Sequence, residues 1–491
     1  MTTISISDRN LRLAIFVAFI FSLAYIYPVI SADRFYIDDM GRSLDGYLGW
    51  GQDGRPLTDM IMTYLSFGFP IVDLSPLNQI LAVIAMSGTI VLYVSKYTEN
   101  VKPLTLGLAS SLFIIQPFLL ENLSYKFDSL PMSLSAILLV IPFLLSGRMA
   151  ITFIISIICI TSSLALYQAS IGIFIIFSIA HVVFSDRNKT IDDIKDTALR
   201  VLQLIIGYSI YSLIVVKYFV TGTYATGHAS MITESTDIIA TLLTNSGKIL
   251  GYFSQAIDPY NALFIGIFLL SVVFSIFKEA SIQIKKCGYT NLFKLVVIIA
   301  SPLLVFLFSF LHLLTLEKPV FSARVFISLS GAMLFFGVLF LRNLGRLVSV
   351  VLISILLFAG LINAYAYGNA MKAQKKIDDL ISASIYQDVN SSGLDFTSVS
   401  VSGTMPVARQ RNNLGNRFPA IARMIPVYLN GDWPWGSRLL QMNLLRLSPA
   451  ILSERSKKAL CTEIPFSHTK DYNLYAVDST LLIEFGNHEC N

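Results

Sequence analysis

The chain has 491 residues, of which 54% are hydrophobic and only 14% charged. That balance excludes an ordinary soluble globular domain. The net charge of +5 is modest and spread over connecting segments, so it makes no case for a nucleic-acid partner.

In chain order, apolar runs of about 17 to 22 residues recur, each long enough for a helix to cross about 30 Å of hydrocarbon. They lie near 11–31, 76–95, 103–120, 129–146, 149–165, 170–184, 201–220, 261–277, 295–314, 325–341 and 347–367. They predict an all-α polytopic membrane protein with about eleven transmembrane helices; the fifth and sixth runs are poorly separated, so ten or twelve stay open. The first run ends in Tyr25-Ile26-Tyr27-Pro28, without a small-residue cleavage site, and reads as a retained span rather than a signal peptide. Positive charges fall in alternate connections: Arg9 and Arg12, Lys96 and Lys102, Arg148, the group around Lys195 and Arg200, the group around Lys285 and Lys286, and Arg342 with Arg346. The positive-inside rule then predicts a cytoplasmic N-terminus and an outer C-terminal segment.

The connections that break the pattern of short loops are 32–75, 221–260 and the tail, and all are expected outside. The predicted division is a transmembrane catalytic region, 1–367, followed by a small α/β extracytoplasmic domain, 368–491. In the tail a helical pattern at Met371–Val389 precedes alternating stretches at Phe396–Gly403 and Tyr472–Phe485. Cys461 and Cys490 are the tail's two cysteines, and in an oxidising compartment they are candidates for a disulfide. In the first loop, Pro56 to Leu65 is amphipathic and too short to cross, which predicts a helix lying along the interface.

The densest polar cluster is FYIDDMGRSLDGYLGW, residues 35–50, followed by Gln52-Asp53-Gly54-Arg55-Pro56-Leu57. Adjacent carboxylates at Asp38 and Asp39 repel each other, which favours proton uptake by one of them unless a cation is close. That suits a general base, because a sugar hydroxyl is a poor nucleophile until a carboxylate accepts its proton. Arg42 and Arg55 are candidate counter-charges and equally candidate phosphate ligands. Trp50, Tyr36 and Tyr47 offer flat faces of the kind sugar rings stack on. A solvated loop with Asp38 capping a short helix is the plainer alternative.

A second cluster, PFLLENLSYKFDS at 117–129, puts Glu121, Lys126 and Asp128 at or near membrane depth, where charge is costly unless paired or facing a wet cavity. A Glu121–Lys126 pair that only steadies the turn is the competing reading. Gln168 and Arg324 are also expected at the outer face, Arg324 either serving a lipid phosphate or snorkelling to the interface. Thr226, His228 and His312 are lone polar residues with no zinc-like spacing. No Gly-rich phosphate loop adjoins a lysine, and no Ser elbow lies between glycines.

The segments FYIDDMGRSLDGYLGW, GRPL at 54–57, PFLLENLSYKFDS and YQASIGIF at 167–174 resemble those of the serotype-converting O-antigen glucosyltransferases, the glucosyl transferase II family, within the GT-C-like class of polyprenyl-phosphate-sugar transferases. The likeness covers most of the membrane region, and the tail is generic. It implies a bacterial inner-membrane enzyme that takes glucose from undecaprenyl phosphate glucose and adds it to O-antigen polysaccharide on the periplasmic face. A donor synthase and a flippase would be its functional partners. By that resemblance Asp38 and Asp39 are the acidic motif, Glu121, Lys126 and Asp128 line the same cavity, and transfer is a single inverting displacement. Whether the paired acids also hold a divalent metal stays open. Rival readings are another GT-C transferase with a lipid A or protein acceptor, a lipid-linked oligosaccharide flippase, and an O-antigen polymerase. The flippase predicts charges within the spans, which are nearly free of them.

Overall fold

In a computed structural model, described for residues 8–185, 189–222, 227, 232, 237–255, 259–287, 291–431 and 435–486, the chain is mostly helical with one small sheet. Among the described residues, six helices are long and apolar enough to cross a membrane: Asp8–Ala32, Leu77–Tyr97, Thr190–Phe219, Ala262–Lys286, Ala323–Asn343 and Arg346–Ser392. Four shorter apolar helical stretches, Ser129–Leu144, Met149–Leu164, Gln168–Phe184 and Leu292–Phe308, coincide with further predicted runs. This is the architecture of a membrane protein.

The run at 103–120 departs from expectation, since its helix covers only Pro103–Ser111. The hydroxyls of Ser110 and Ser111 bond back to the carbonyls of Leu106 and Gly107, a pattern that bends helices. Downstream, the Gln116 side chain accepts the Phe118 N–H at 3.0 Å, and Pro117 disfavours helical geometry at Gln116. Residues Leu106 to Gln116 are buried throughout, which makes irregular backbone tolerable at membrane depth.

The chain divides into two compact units. The first comprises 1–27, 48–69 and 74–364. Here Pro56–Leu65 forms the expected short helix, opened by Pro56. Its Met60 and Tyr64, one turn apart, are exposed, as are Phe67 and Phe69 just beyond. Main-chain and side-chain bonds to the carbonyls of Ala165 and Leu166 hold its other face, through Leu57 N–H at 3.3 Å and the Thr58 hydroxyl at 3.2 Å.

The second unit comprises 28–47, 70–73 and 365–491. Its five-stranded sheet has the order β2 (Ser448–Pro449), β1 (Ser398–Ser402), β5 (Thr480–Glu484), β4 (Asn473–Val477), β3 (Ser467–His468). β1 runs parallel to β2 and β5, whereas β4 is antiparallel to β5 and β3. Val399, Val401, Leu474, Leu481 and Ile483 form a core with Ile381 and Ile385 of the Arg346–Ser392 helix. Met40, from the first predicted outer loop, belongs to the same core, and Phe35 and Ile37 pack on it. The Arg34 guanidinium reaches Asp378 at 2.7 Å with both side chains buried, and donates to the Pro426 carbonyl at 2.8 Å. The acidic pair and the tail therefore belong to one compact unit. Cys461, on the helix Glu454–Thr462, is disulfide-bonded, while Cys490 lies outside the described residues.

Candidate functional site

In the second unit the acidic loop starts from a strained residue. Ile37 has φ of 49°, a left-handed conformation that costs a β-branched side chain appreciably. Its N–H donates to the Tyr428 hydroxyl at 3.0 Å, and that hydroxyl donates to the Phe35 carbonyl at 2.7 Å. Burial pushes the Tyr428 phenol up to about 12, against the opposing influence of the Arg34 cation over its ring. The tyrosine therefore stays neutral, able both to donate and to accept. It holds the turn from which Asp38 and the helix Asp39–Asp45 emerge.

The two adjacent acids have different surroundings. Asp39 is fully buried, and its carboxylate accepts the Tyr36 N–H at 3.3 Å. Asp38 keeps 29% of its side chain exposed, with Arg42 one turn on at 3.3 Å. The nearby cation that would relieve repulsion between the acids is thus present. The Arg42 guanidinium also lies over the Tyr47 ring, 5.3 Å from its centroid. Tyr36 is buried with its hydroxyl on the Met424 carbonyl at 2.8 Å, so it is a wall of the core rather than a stacking face.

In the first unit, Asp128 gathers residues of two predicted clusters. Its Oδ1 accepts the Trp50 indole N–H at 2.7 Å and an Arg55 N–H at 2.8 Å. Trp50 is fully buried, which corrects its reading as an open platform for a sugar ring: its polar edge is spent on Asp128. A residue missed from sequence, Asp59, sets this geometry. Its carboxylate accepts the backbone N–H groups of Gly49, Trp50 and Gly51 at 3.0, 3.1 and 2.7 Å, fixing the turn that carries the indole. The signal was an acid in the first turn of a helix, close after a Gly-Trp-Gly turn.

Glu121 and Arg324 meet differently from the way charges usually do. The Glu121 carboxylate accepts the backbone N–H of Arg324 at 2.8 Å, while the Arg324 carbonyl takes bonds from Asn122 at 3.1 Å and Tyr167 at 3.2 Å. The Arg324 guanidinium donates to the Tyr125 hydroxyl. Lys126 is buried and its carbonyl accepts from Asn78 at 2.8 Å. Gln168 donates to the Asp53 carbonyl at 2.9 Å and the Tyr211 hydroxyl at 2.8 Å. That contact requires glycine at 54, where φ is 77° and a Cβ would come within 2.6 Å of the Tyr211 oxygen.

The predicted residues thus fall into groups within their own units: Asp38, Asp39 and Arg42 in one, and Trp50, Arg55, Asp128, Glu121, Lys126, Gln168 and Arg324 in the other. Thr226 and His228 lie outside the described residues. Among the described residues, no group of three or more His, Cys, Asp or Glu side chains is arranged to hold a metal ion.

A helical membrane scaffold that buries this many carboxylates and guanidinium groups is built around polar chemistry, not only around spanning the bilayer. The family model "Glucosyl transferase GtrII" matches residues 27–336, and the chain belongs to this glucosyltransferase family. It is also 30% identical over 481 residues to an uncharacterized 55.3 kDa protein in the gtrB 5′ region of Salmonella phage P22, covering 96% of this chain and 98% of that one. No solved structure matches.

Proposed function

We propose that this protein transfers glucose from undecaprenyl phosphate glucose to a sugar of lipopolysaccharide O-antigen, on the periplasmic face of the bacterial inner membrane. The scaffold is read as GT-C-like with about eleven crossings, counting as spans the six long helices, the four shorter apolar stretches and the interrupted run at 103–120. Membership of the glucosyltransferase family supports the reaction class. The observation that carries the catalytic assignment is the unequal burial of the acidic pair: only Asp38 has an exposed carboxylate.

In this reading Asp38 accepts the proton of the acceptor hydroxyl as its oxygen attacks the anomeric carbon of the donor. The bond from that carbon to the phosphate oxygen breaks, undecaprenyl phosphate leaves, and the anomeric configuration inverts. Asp39 acts from within the fold, holding the Tyr36 N–H and so the turn before the base. Arg42, one turn from Asp38 in the same unit, is assigned to the charge that develops on the leaving phosphate. Arg55 and Asp128 form a buried pair that orders the Trp50 loop. Glu121 and Gln168 order main chain within the first unit, at Arg324 and Asp53.

The test is glucosyl transfer by membranes containing the protein, supplied with undecaprenyl phosphate glucose and lipopolysaccharide. With the β-linked donor that the family resemblance implies, the expected product is an α-glucoside, lost in Asp38→Asn at unchanged protein abundance. Full transfer by Asp38→Asn would remove this residue as the base. A β-linked product would contradict the inverting course.

A further inference from the structure

The proposed function leaves open what holds the acceptor, and it does not use the tail's helix Trp435–Met442. This helix presents Arg438 to the acidic loop: Arg438 Nη1 lies 2.7 Å from the Asp45 carboxylate and bonds Gln441 Oε1 at 2.9 Å. Gln441 in turn donates to the Leu447 carbonyl at 2.9 Å, so the guanidinium is held from its own helix as well. A Cβ built on Gly41 would stand 3.0 Å from the Tyr47 hydroxyl and 3.5 Å from Arg438 Nε, so tyrosine and arginine crowd the same patch of the short helix.

Asp38, Arg42 and Asp45 occupy positions i, i+4 and i+7, which a helix brings to one face. Arg438 extends the row, giving acid, base, acid, base with Tyr47 among them. All four charges act on the Tyr47 phenol: burial raises its proton affinity, Arg42 and Arg438 oppose that, and Asp38 and Asp45 add to it. The row opens to water away from the core. Arg42 is buried, but Arg438 is 33% and Asp45 51% exposed at the side chain. From Asp38 to Asp45 the helix rises about 10 Å, so a saccharide of two or more sugar units with one hydroxyl at Asp38 is long enough to reach along this row. Guanidinium, carboxylate and phenol are the donors and acceptors that vicinal hydroxyls pair with.

We infer that Arg438, with Tyr47 and Asp45, forms the binding site for the acceptor saccharide beside Asp38, so that the tail contributes directly to acceptor recognition. The inference rests on the reading of Asp38 as the base.

The experiment uses the full chain in detergent or nanodiscs, undecaprenyl phosphate glucose as donor, and lipopolysaccharide from a strain lacking the glucosyl branch as acceptor. Arg438→Gln is expected to raise the acceptor KM about tenfold, the effect of one lost charge-assisted hydrogen bond, while the donor KM stays unchanged. Arg438→Lys restores part of the loss. An unchanged acceptor KM in Arg438→Gln overturns the inference. So does a parallel worsening of acceptor KM, donor KM and melting temperature, which marks a purely structural tie to Asp45. Failure of the underlying reading is a distinct outcome: the wild-type protein then transfers no glucose, or Asp38→Asn transfers it normally.

Discussion

The indole N–H of Trp50 meets Asp128 at 2.7 Å, joining two polar clusters that lie 78 positions apart in the chain. Because Arg55 donates to the same oxygen at 2.8 Å, a single carboxylate organises the loop between them. The pair is nearly dry, with 12% and 3% of the Arg55 and Asp128 side chains exposed.

Removing one partner of such a pair leaves an uncompensated buried charge, which costs about 3–5 kcal/mol. Asp128→Ala should therefore lower the melting temperature of the purified protein much more than Trp50→Phe. The latter forfeits one hydrogen bond to a charged group, about 1.5–3 kcal/mol. Equal effects would show that Arg55 gains little from Asp128.

The Glu121 carboxylate serves as an acceptor for a main-chain N–H, that of Arg324. Gln keeps an oxygen there. Glu121→Gln should retain most transfer activity, and Glu121→Ala should lose it, with the position of Arg324 disturbed. Loss of activity in Glu121→Gln at normal stability would assign the charge itself a role.

The loop carrying the acidic pair depends on the tail. Arg34 and Asp378 are both buried, and breaking their contact costs about 3–5 kcal/mol. Asp378→Ala should lower both stability and transfer. Removal of residues 393–491 strips Met40 of core partners and should abolish transfer even where the truncated chain still inserts. Undiminished activity in the truncated chain would separate the tail from the reaction.

Alkaline pH should loosen the same body. The Tyr428 proton is held up to about 12 in the fold, against about 10 in an unfolded chain. The unfolded state loses that proton first, so the contribution is fully present below about pH 10 and disappears as pH rises towards 12. Stability measured across this window should fall less steeply in Tyr428→Phe. An identical fall would assign the alkaline transition to other groups.

Much of this was legible in the sequence, for identifiable reasons. Charge is scarce in the chain, so the grouping of Asp38, Asp39, Arg42, Arg55 and Asp128 stood out. Strand alternation at 396–403 and 472–485 has its counterpart in β1, β4 and β5. What stayed hidden depends on contacts between distant positions. Arg34 with Asp378 and Arg438 with Asp45 lie hundreds of residues apart, and nothing local marks them. An aromatic beside charges reads equally as a sugar platform or a core residue, and only burial assigns Trp50 to the core. The helix break after Ser111 is similarly invisible to hydropathy, which registers the apolar run but not the serine back-bonding within it.

The proposed role of Asp38 is that of the base in O-antigen glucosylation. Structural analysis of O-antigen from cells expressing the protein, with undecaprenyl phosphate glucose available, tests it most directly. A glucose branch is expected with the intact protein and none with Asp38→Asn expressed at equal abundance. An O-antigen identical in both, with donor and protein confirmed present, would contradict it.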